Sequence, residues 1–180
     1  MTDLPPQDRC GAIARALHGT MFALIAVPIA GGLMLEGLPR GTALKRLAFD
    51  GHETIGIVAV LLVLARIAWN LSHRGPSPEG AVRQRKLAKA AHGALCVPMI
   101  AVPVVGYAMV DAKGHDVAFF AWSAPDLVVK DSVLGKTLER VHERLARALT
   151  GLVGLHVATA FWHHFGLRDG ALRGRLPSRA

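Results

Sequence analysis

Four stretches of this sequence run for about 20 residues with few polar side chains, which is the length an α-helix needs to cross a bilayer's hydrocarbon. They lie near residues 13–35 ("ALHGTMFALIAVPIAGGLML"), 51–71 ("GHETIGIVAVLLVLARIAWNL"), 90–110 ("AAHGALCVPMIAVPVVGYAMV") and 141–165. A soluble bundle helix shows polar residues every turn, and "LIAVPIAGGLM" or "IVAVLLVLA" shows none. Pro28, Pro98 and Pro103 inside the runs fit the same reading, since proline is better tolerated in membrane helices than in soluble ones. The second and fourth runs also carry charge, Glu53 and Arg66 in one, Glu143, Arg144 and Arg147 in the other. Long side chains near helix ends can snorkel to the headgroups. The expected fold is all-α: one integral membrane four-helix bundle spanning residues 1–180.

The chain is 52% hydrophobic yet carries a formal charge of +8, and the two properties separate into spans and flanks. The N-terminal tail, the 72–89 loop and the tail after Phe165 hold Arg9, Arg15, Arg74, Arg83, Arg85, Lys86, Lys89, Arg168, Arg173, Arg175 and Arg179 against Asp3, Asp8, Glu79 and Asp169. This asymmetry predicts both termini in the cytoplasm of a multi-pass membrane protein. The positive charge is thereby read as a topology signal, and no nucleic-acid partner is expected. Cys10 and Cys96 would fall in the cytoplasmic tail and within a span, a poor framework for a disulfide, and no C-x-x-C-H motif for covalent haem attachment is present.

Given that topology, the histidines acquire depths. His18 and His92 lie at the cytoplasmic ends of the first and third spans, and His52 opens the second on the outer side. His142 opens the fourth span on the outer side, and His156 follows 14 residues later. Fourteen residues are close to four helical turns, so the two side chains share a face about 21 Å apart along the axis. The outer layer therefore has His52 and His142, and the inner layer His156 with His18, while His92 is left over at similar depth. Pairs on different helices are what bis-imidazole ligation of a porphyrin requires. Gly19, Gly51, Gly56, Gly93, Gly106, Gly151 and Gly154 would leave room for it.

Other readings compete. An intramembrane histidine also serves as a helix contact or a proton relay, in which case the protein is a haem-free transporter or channel. Structural zinc prefers four Cys or His ligands, and neither layer offers a thiolate. Di-iron carboxylate chemistry lacks its Glu-x-x-His pairs. Haem b accounts for the pattern better, with His52 and His142 as the outer pair and His156 with His18, or with His92 in its place, as the inner one.

The pieces "ALHGTMFALIA", "GHETIGIVAVLLVLARIAWNL", "KLAKAAHGALCVPMIAVPVVGYAMV" and "RVHERLARALTGLVGLHVATAFWHH" together resemble the bacterial cytochrome b561 family over nearly the whole chain. Related cytochrome b subunits serve hydrogenases and formate dehydrogenases. The resemblance implies a four-helix membrane core with two b haems, one joining the first and fourth helices (His18 with His156), the other the second and fourth (His52 with His142). It also implies electron exchange with the quinone pool, ubiquinone being the substrate, and one branch is similar to superoxide oxidases, which oxidise superoxide at the outer face. The alternative within the same resemblance is a membrane-anchor subunit that wires a separate dehydrogenase or hydrogenase, its redox partner protein, to quinone. The resemblance thus implies redox work in the bilayer and leaves open whether the chain is an enzyme itself, a superoxide:quinone oxidoreductase.

Superoxide is an anion, and capture would be helped by a positive outer funnel. Arg40, Lys45, Arg46, Lys113, Lys130, Lys136, Arg140 and Arg144 are on that side, but Glu36, Asp50, Glu53, Asp111, Asp116, Asp126, Asp131, Glu139 and Glu143 leave no net positive excess. A quinone site needs a polar handle in an apolar pocket, for which His92, His163 and Arg66 are the candidates. Trp69 and Trp162 read as interface anchors, with His164 beside Trp162, and His73 and His115 as loop residues.

Overall fold

The computed structural model describes residues 6–72 and 82–167. Four long helices follow one another: α1 (Pro6–Gly37), α2 (Ala43–Ser72), α3 (Val82–Ala112) and α4 (Ser132–Phe161), the last running into a π-helical turn, Trp162–Leu167. The only sheet among the described residues is a two-stranded antiparallel hairpin between α3 and α4, β1 (Ala118–Phe119) with β2 (Trp122–Ser123), in which Ala118 faces Ser123. Residues 1–5, 73–81 and the tail after 167 lie outside the described residues, whereas Arg9 and Arg15 fall in α1 and Arg83, Arg85, Lys86 and Lys89 in α3.

Each helix is longer than the apolar run within it, because a charged side chain does not stop a helix and only a turn signal does. α1 stops before Pro39 and Gly41, whose φ of 78° suits glycine, and Thr42 then caps α2 by accepting from the Lys45 backbone N–H (3.2 Å). α3 ends in a Schellman turn at Gly114 (φ 76°): Gly114 N–H donates to the Asp111 carbonyl (2.8 Å) and His115 N–H to that of Val110 (3.2 Å). Asp131 caps α4, accepting from the backbone N–H groups of Val133 (2.8 Å) and Leu134 (3.1 Å).

Three helical stretches are long and apolar enough to cross a membrane, Ala16–Gly37, Ala43–Ser72 and Lys89–Ala112. α4 is as long but carries Lys136, Glu139, Arg140, Glu143, Arg144 and Arg147 in its first sixteen residues. Large apolar side chains such as Val27, Leu61 and Val104 point outward along the first three helices. In water such a surface would be an aggregation site, and in lipid it is the ordinary exterior. The interior is correspondingly thin. Met21, Val63, Met99 and Leu149, one from each helix, form its buried centre. α1 packs on α2 and α3 most closely on α4, with α2 against α3 joining the two halves.

The α3–α4 connection is fastened to the bundle by buried polar groups. Asp111, 4% exposed, accepts from the backbone N–H groups of Leu127 (2.7 Å) and Val128 (3.3 Å). Replacing Asp111 by alanine strands both donors, at about 1–3 kcal/mol for each one that stays buried. Thermal unfolding in detergent should show a clear loss of stability for Asp111→Ala and a smaller one for Asp111→Asn, whose amide oxygen still accepts. Equal melting of Asp111→Ala and wild type would mean that these bonds hold nothing in place.

Candidate functional site

Five histidines project between the helices, His18 from α1, His52 from α2, His92 from α3, and His142 and His156 from α4, and all are half-buried. The rings of His52 and His142 face each other with centres 6.4 Å apart, and those of His18 and His156 with centres 6.3 Å apart. His92 approaches His156 from the other side, ring centres 5.7 Å apart. Leu149 of the buried centre lies seven residues from both His142 and His156, so an apolar layer separates the two pairs, each about 10 Å away along α4.

The spacing is informative. An imidazole nitrogen lies roughly 1.1 Å from its ring centre, and first-row metals bind it at about 2.0 Å, so two imidazoles on opposite sides of one metal would have centres about 6.2 Å apart. Both facing pairs come close to that distance, whereas His92 stands nearer to His156, at 5.7 Å, than ligands on opposite sides of one metal would. Among the described residues no group of three or more His, Cys, Asp or Glu converges on a point where a bare metal ion could sit.

Around the pair at the hairpin end, the helices leave a cavity of about 350 Å³, within the range of small-molecule and cofactor sites. Pro28 and Gly32 of α1, Gly56 of α2 and Gly106 of α3 line it together with His52 and His142. His142 Nδ1 lies 3.0 Å from the Val102 carbonyl, which can only accept, so Nδ1 carries the proton and Nε2 keeps its lone pair for a metal. This ring reaches the α3 backbone because residue 106 has no side chain: a Cβ there would stand 2.9 Å from Cε1 and 3.0 Å from Nδ1 of His142. His52 lies against Gly32, with Nδ1 buried near the Pro28 carbonyl but without a hydrogen-bond partner. An orphaned imidazole nitrogen in an apolar cavity opposite a second imidazole suits a haem well. Arg147 also lines the cavity, 3.3 Å from Glu143, and Lys113 pairs with Glu139 at 2.6 Å nearby, so cations able to meet propionates are at hand.

At the other end, Arg66 Nη1 stands 3.2 Å from His18 Nδ1 and 3.4 Å from the Met21 sulfur. Arginine only donates, so His18 accepts on Nδ1 in this arrangement, and ligation through Nε2 would require Arg66 to release that nitrogen. Of the three residues considered for quinone, Arg66 and His92 are thus brought to the His18/His156 pair, and the His163 side chain lies outside the described residues. Gly19, Gly93, Gly151 and Gly154 border open space, so an added Cβ there would meet nothing within 4 Å; Gly51 does the same, and Gly56 makes ordinary contact with Pro103. Sequence reasoning missed the roles of Val102, Gly32 and the Arg66–His18 contact. It missed too that Glu53 and Thr54, next to His52, hold the hairpin, for only structure reports long-range backbone contacts.

Membrane-length helices that set imidazoles in facing pairs one metal apart, at two depths, have the build of a membrane b-type cytochrome. The sequence profile of the prokaryotic cytochrome b561 family matches residues 9–176, and the chain belongs to that family. It is 24% identical over 165 residues to cytochrome b561 homolog 1 of Escherichia coli K12 (91% of this chain, 94% of the relative) and 26% identical over 172 residues to homolog 2 of the same strain (94% and 92%). A probable superoxide oxidase of Yersinia pestis is 28% identical over 130 residues, 71% of this chain and 74% of the relative. The protein is therefore a haem b electron-transfer protein of the membrane.

Proposed function

We propose that this chain is a di-haem cytochrome that exchanges electrons with the quinone pool, with His52 and His142 holding one haem b and His18 and His156 the other. The observation that carries the reading is the pair of near-equal ring spacings, 6.4 Å and 6.3 Å, on facing helices. A haem held between two histidines would supply one-electron outer-sphere transfer. The protein's part is to hold the rings: the Val102 carbonyl fixes the tautomer of His142, and the Met21, Val63, Met99 and Leu149 layer keeps water from the space between the sites. On this reading α4 crosses the bilayer with the other three helices as one domain, its charged first half at the hairpin end. The excess of basic residues in the 72–89 loop and the tails supports cytoplasmic termini and an inner-membrane location.

Quinone is assigned to the opposite end, where His92 and Arg66 offer hydrogen bonds beside His156 and His18. Losing one such bond to the substrate costs about 1.4 kcal/mol, a tenfold change in rate. His92→Leu is accordingly expected to slow oxidation of the reduced protein by a ubiquinone analogue about tenfold in stopped-flow spectroscopy, and an unchanged rate would remove His92 from the site. The name of the Yersinia pestis relative supports superoxide as the donor. Four carboxylates, those of Glu36, Glu53, Glu139 and Glu143, line the hairpin-end cavity, which gives an anion no electrostatic help in entering.

The first test is a reduced-minus-oxidised spectrum with pyridine-haem quantification on the purified protein. Two b haems per chain are expected, and one or none overturns the ligand set. Mixing the isolated protein with superoxide and a ubiquinone analogue then separates an oxidoreductase, which turns over alone, from an anchor subunit, which needs its partner.

A further inference from the structure

The segment 117–129 between α3 and α4 holds thirteen residues, VAFFAWSAPDLVV, of which Asp126 alone is charged. A connection that lived in water would be polar. Its inward side is secured: Val117 is 2% exposed, Ala118 N–H donates to the Glu53 carboxylate (2.7 Å), Phe120 N–H to Thr54 Oγ1 (3.1 Å), and Thr54 Oγ1 in turn to the Ala118 carbonyl (3.3 Å). Its outward side is apolar, with Phe120 70% exposed, Trp122 79%, Leu127 70% and Val129 86%. Phe120 takes φ 55°, a left-handed conformation that bulky residues avoid, at the point where the hairpin turns.

The depth of these side chains follows from what they are tied to. Glu53 and Thr54 are the next residues of α2 after His52, and the His52 ring rests against Gly32 of α1. α1 continues beyond that level through exposed Leu33 and Met34 to Gly37, five residues and about 7.5 Å farther out. The hairpin is therefore bonded to the bundle below the end of α1's apolar surface, with its own apolar side turned away from the protein. We infer that segment 117–129 is an interfacial membrane anchor, seating Phe120, Trp122, Leu127 and Val129 in the lipid leaflet at the hairpin end and so holding the hairpin against α2 beside His52. Continuity with the lipid-facing surface of the helices, and an aromatic pair at headgroup level, fit a bilayer better than a protein partner.

The test uses the full-length protein with haem, its haems left oxidised, in phosphatidylcholine liposomes. Cys10 and Cys96 are replaced by serine, and a single cysteine is introduced by Phe120→Cys, Trp122→Cys or Val129→Cys and spin-labelled. Power saturation compares collisions with oxygen, which concentrates in lipid, and with a water-soluble nickel chelate. Labels at all three positions should favour oxygen several-fold more than a label introduced by Lys136→Cys on exposed α4. Labels that collide with the chelate as freely as the one at 136 would overturn the anchor. So would labels shielded from both reagents, which would show a second protein surface seated on the hairpin.

Discussion

Alanine in place of His156 is expected to leave the protein with one haem instead of two. His156 is the only α4 histidine in its pair, and both of its neighbours, His18 at 6.3 Å and His92 at 5.7 Å between ring centres, need it as the opposite ligand. The second site should survive, because it lies about 21 Å away along α4 with the Leu149 layer between. The two neighbours are then separable. A metal held from opposite sides would set ring centres about 6.2 Å apart, a distance that His18 comes close to and His92 undercuts. His18→Ala should therefore cost the same haem as His156→Ala, and His92→Ala should keep both, as counted by pyridine haemochrome. Loss of a haem in His92→Ala with retention in His18→Ala would reverse the pairing and make the Arg66–His18 contact a separate feature, such as a proton or quinone site. Retention of both haems in His156→Ala would sink the ligand set altogether.

The division between what could and could not be read beforehand is physical. Hydrophobic length is a local property, so the runs holding Val27, Leu61 and Val104 announced membrane helices directly, and depth along them paired His52 with His142. Helix ends were harder. α2 begins at Ala43 rather than near 51 because Lys45 and Arg46 are good helix formers at the membrane surface, and only Thr42 and Gly41 stop it. α4 begins at Ser132, nine residues before the apolar run, for the same reason, with Asp131 as its cap. The seat of the hairpin on α2 was out of reach. Nothing in AFFAWS has a period that marks a strand, and its register comes from Glu53 and Thr54, more than 60 residues earlier. Seven glycines suggested space for a porphyrin in general. A side chain's absence matters only where something presses on it, and that depends on how α3 is rotated against α4.

At Gly106 that rotation has a measurable consequence. An added Cβ would stand 2.9 Å from His142 Cε1 and 3.0 Å from Nδ1, well inside the 3.5–4.0 Å or so at which carbon atoms pack comfortably. The ring cannot hold its place against a backbone-anchored methyl, so Gly106→Ala should push it back by about half an ångström or more and break the 3.0 Å hydrogen bond to Val102. Losing such an orienting bond weakens metal sites by about 10- to 100-fold. Here the facing distance to His52 is disturbed as well. Gly106→Ala is thus expected to lose the hairpin-end haem wholly or to bind it at least tenfold more weakly, with the His18/His156 haem unaffected. Gly37→Ala is the control: its Cβ would meet nothing within 4 Å and lies outside the cavity, and both haems should stay. Haem titration of the two variants reads the difference, since a general loosening of the bundle would lower both sites in both proteins. Full occupancy in Gly106→Ala would mean that His142 binds from some other position than the one its hydrogen bond to α3 defines.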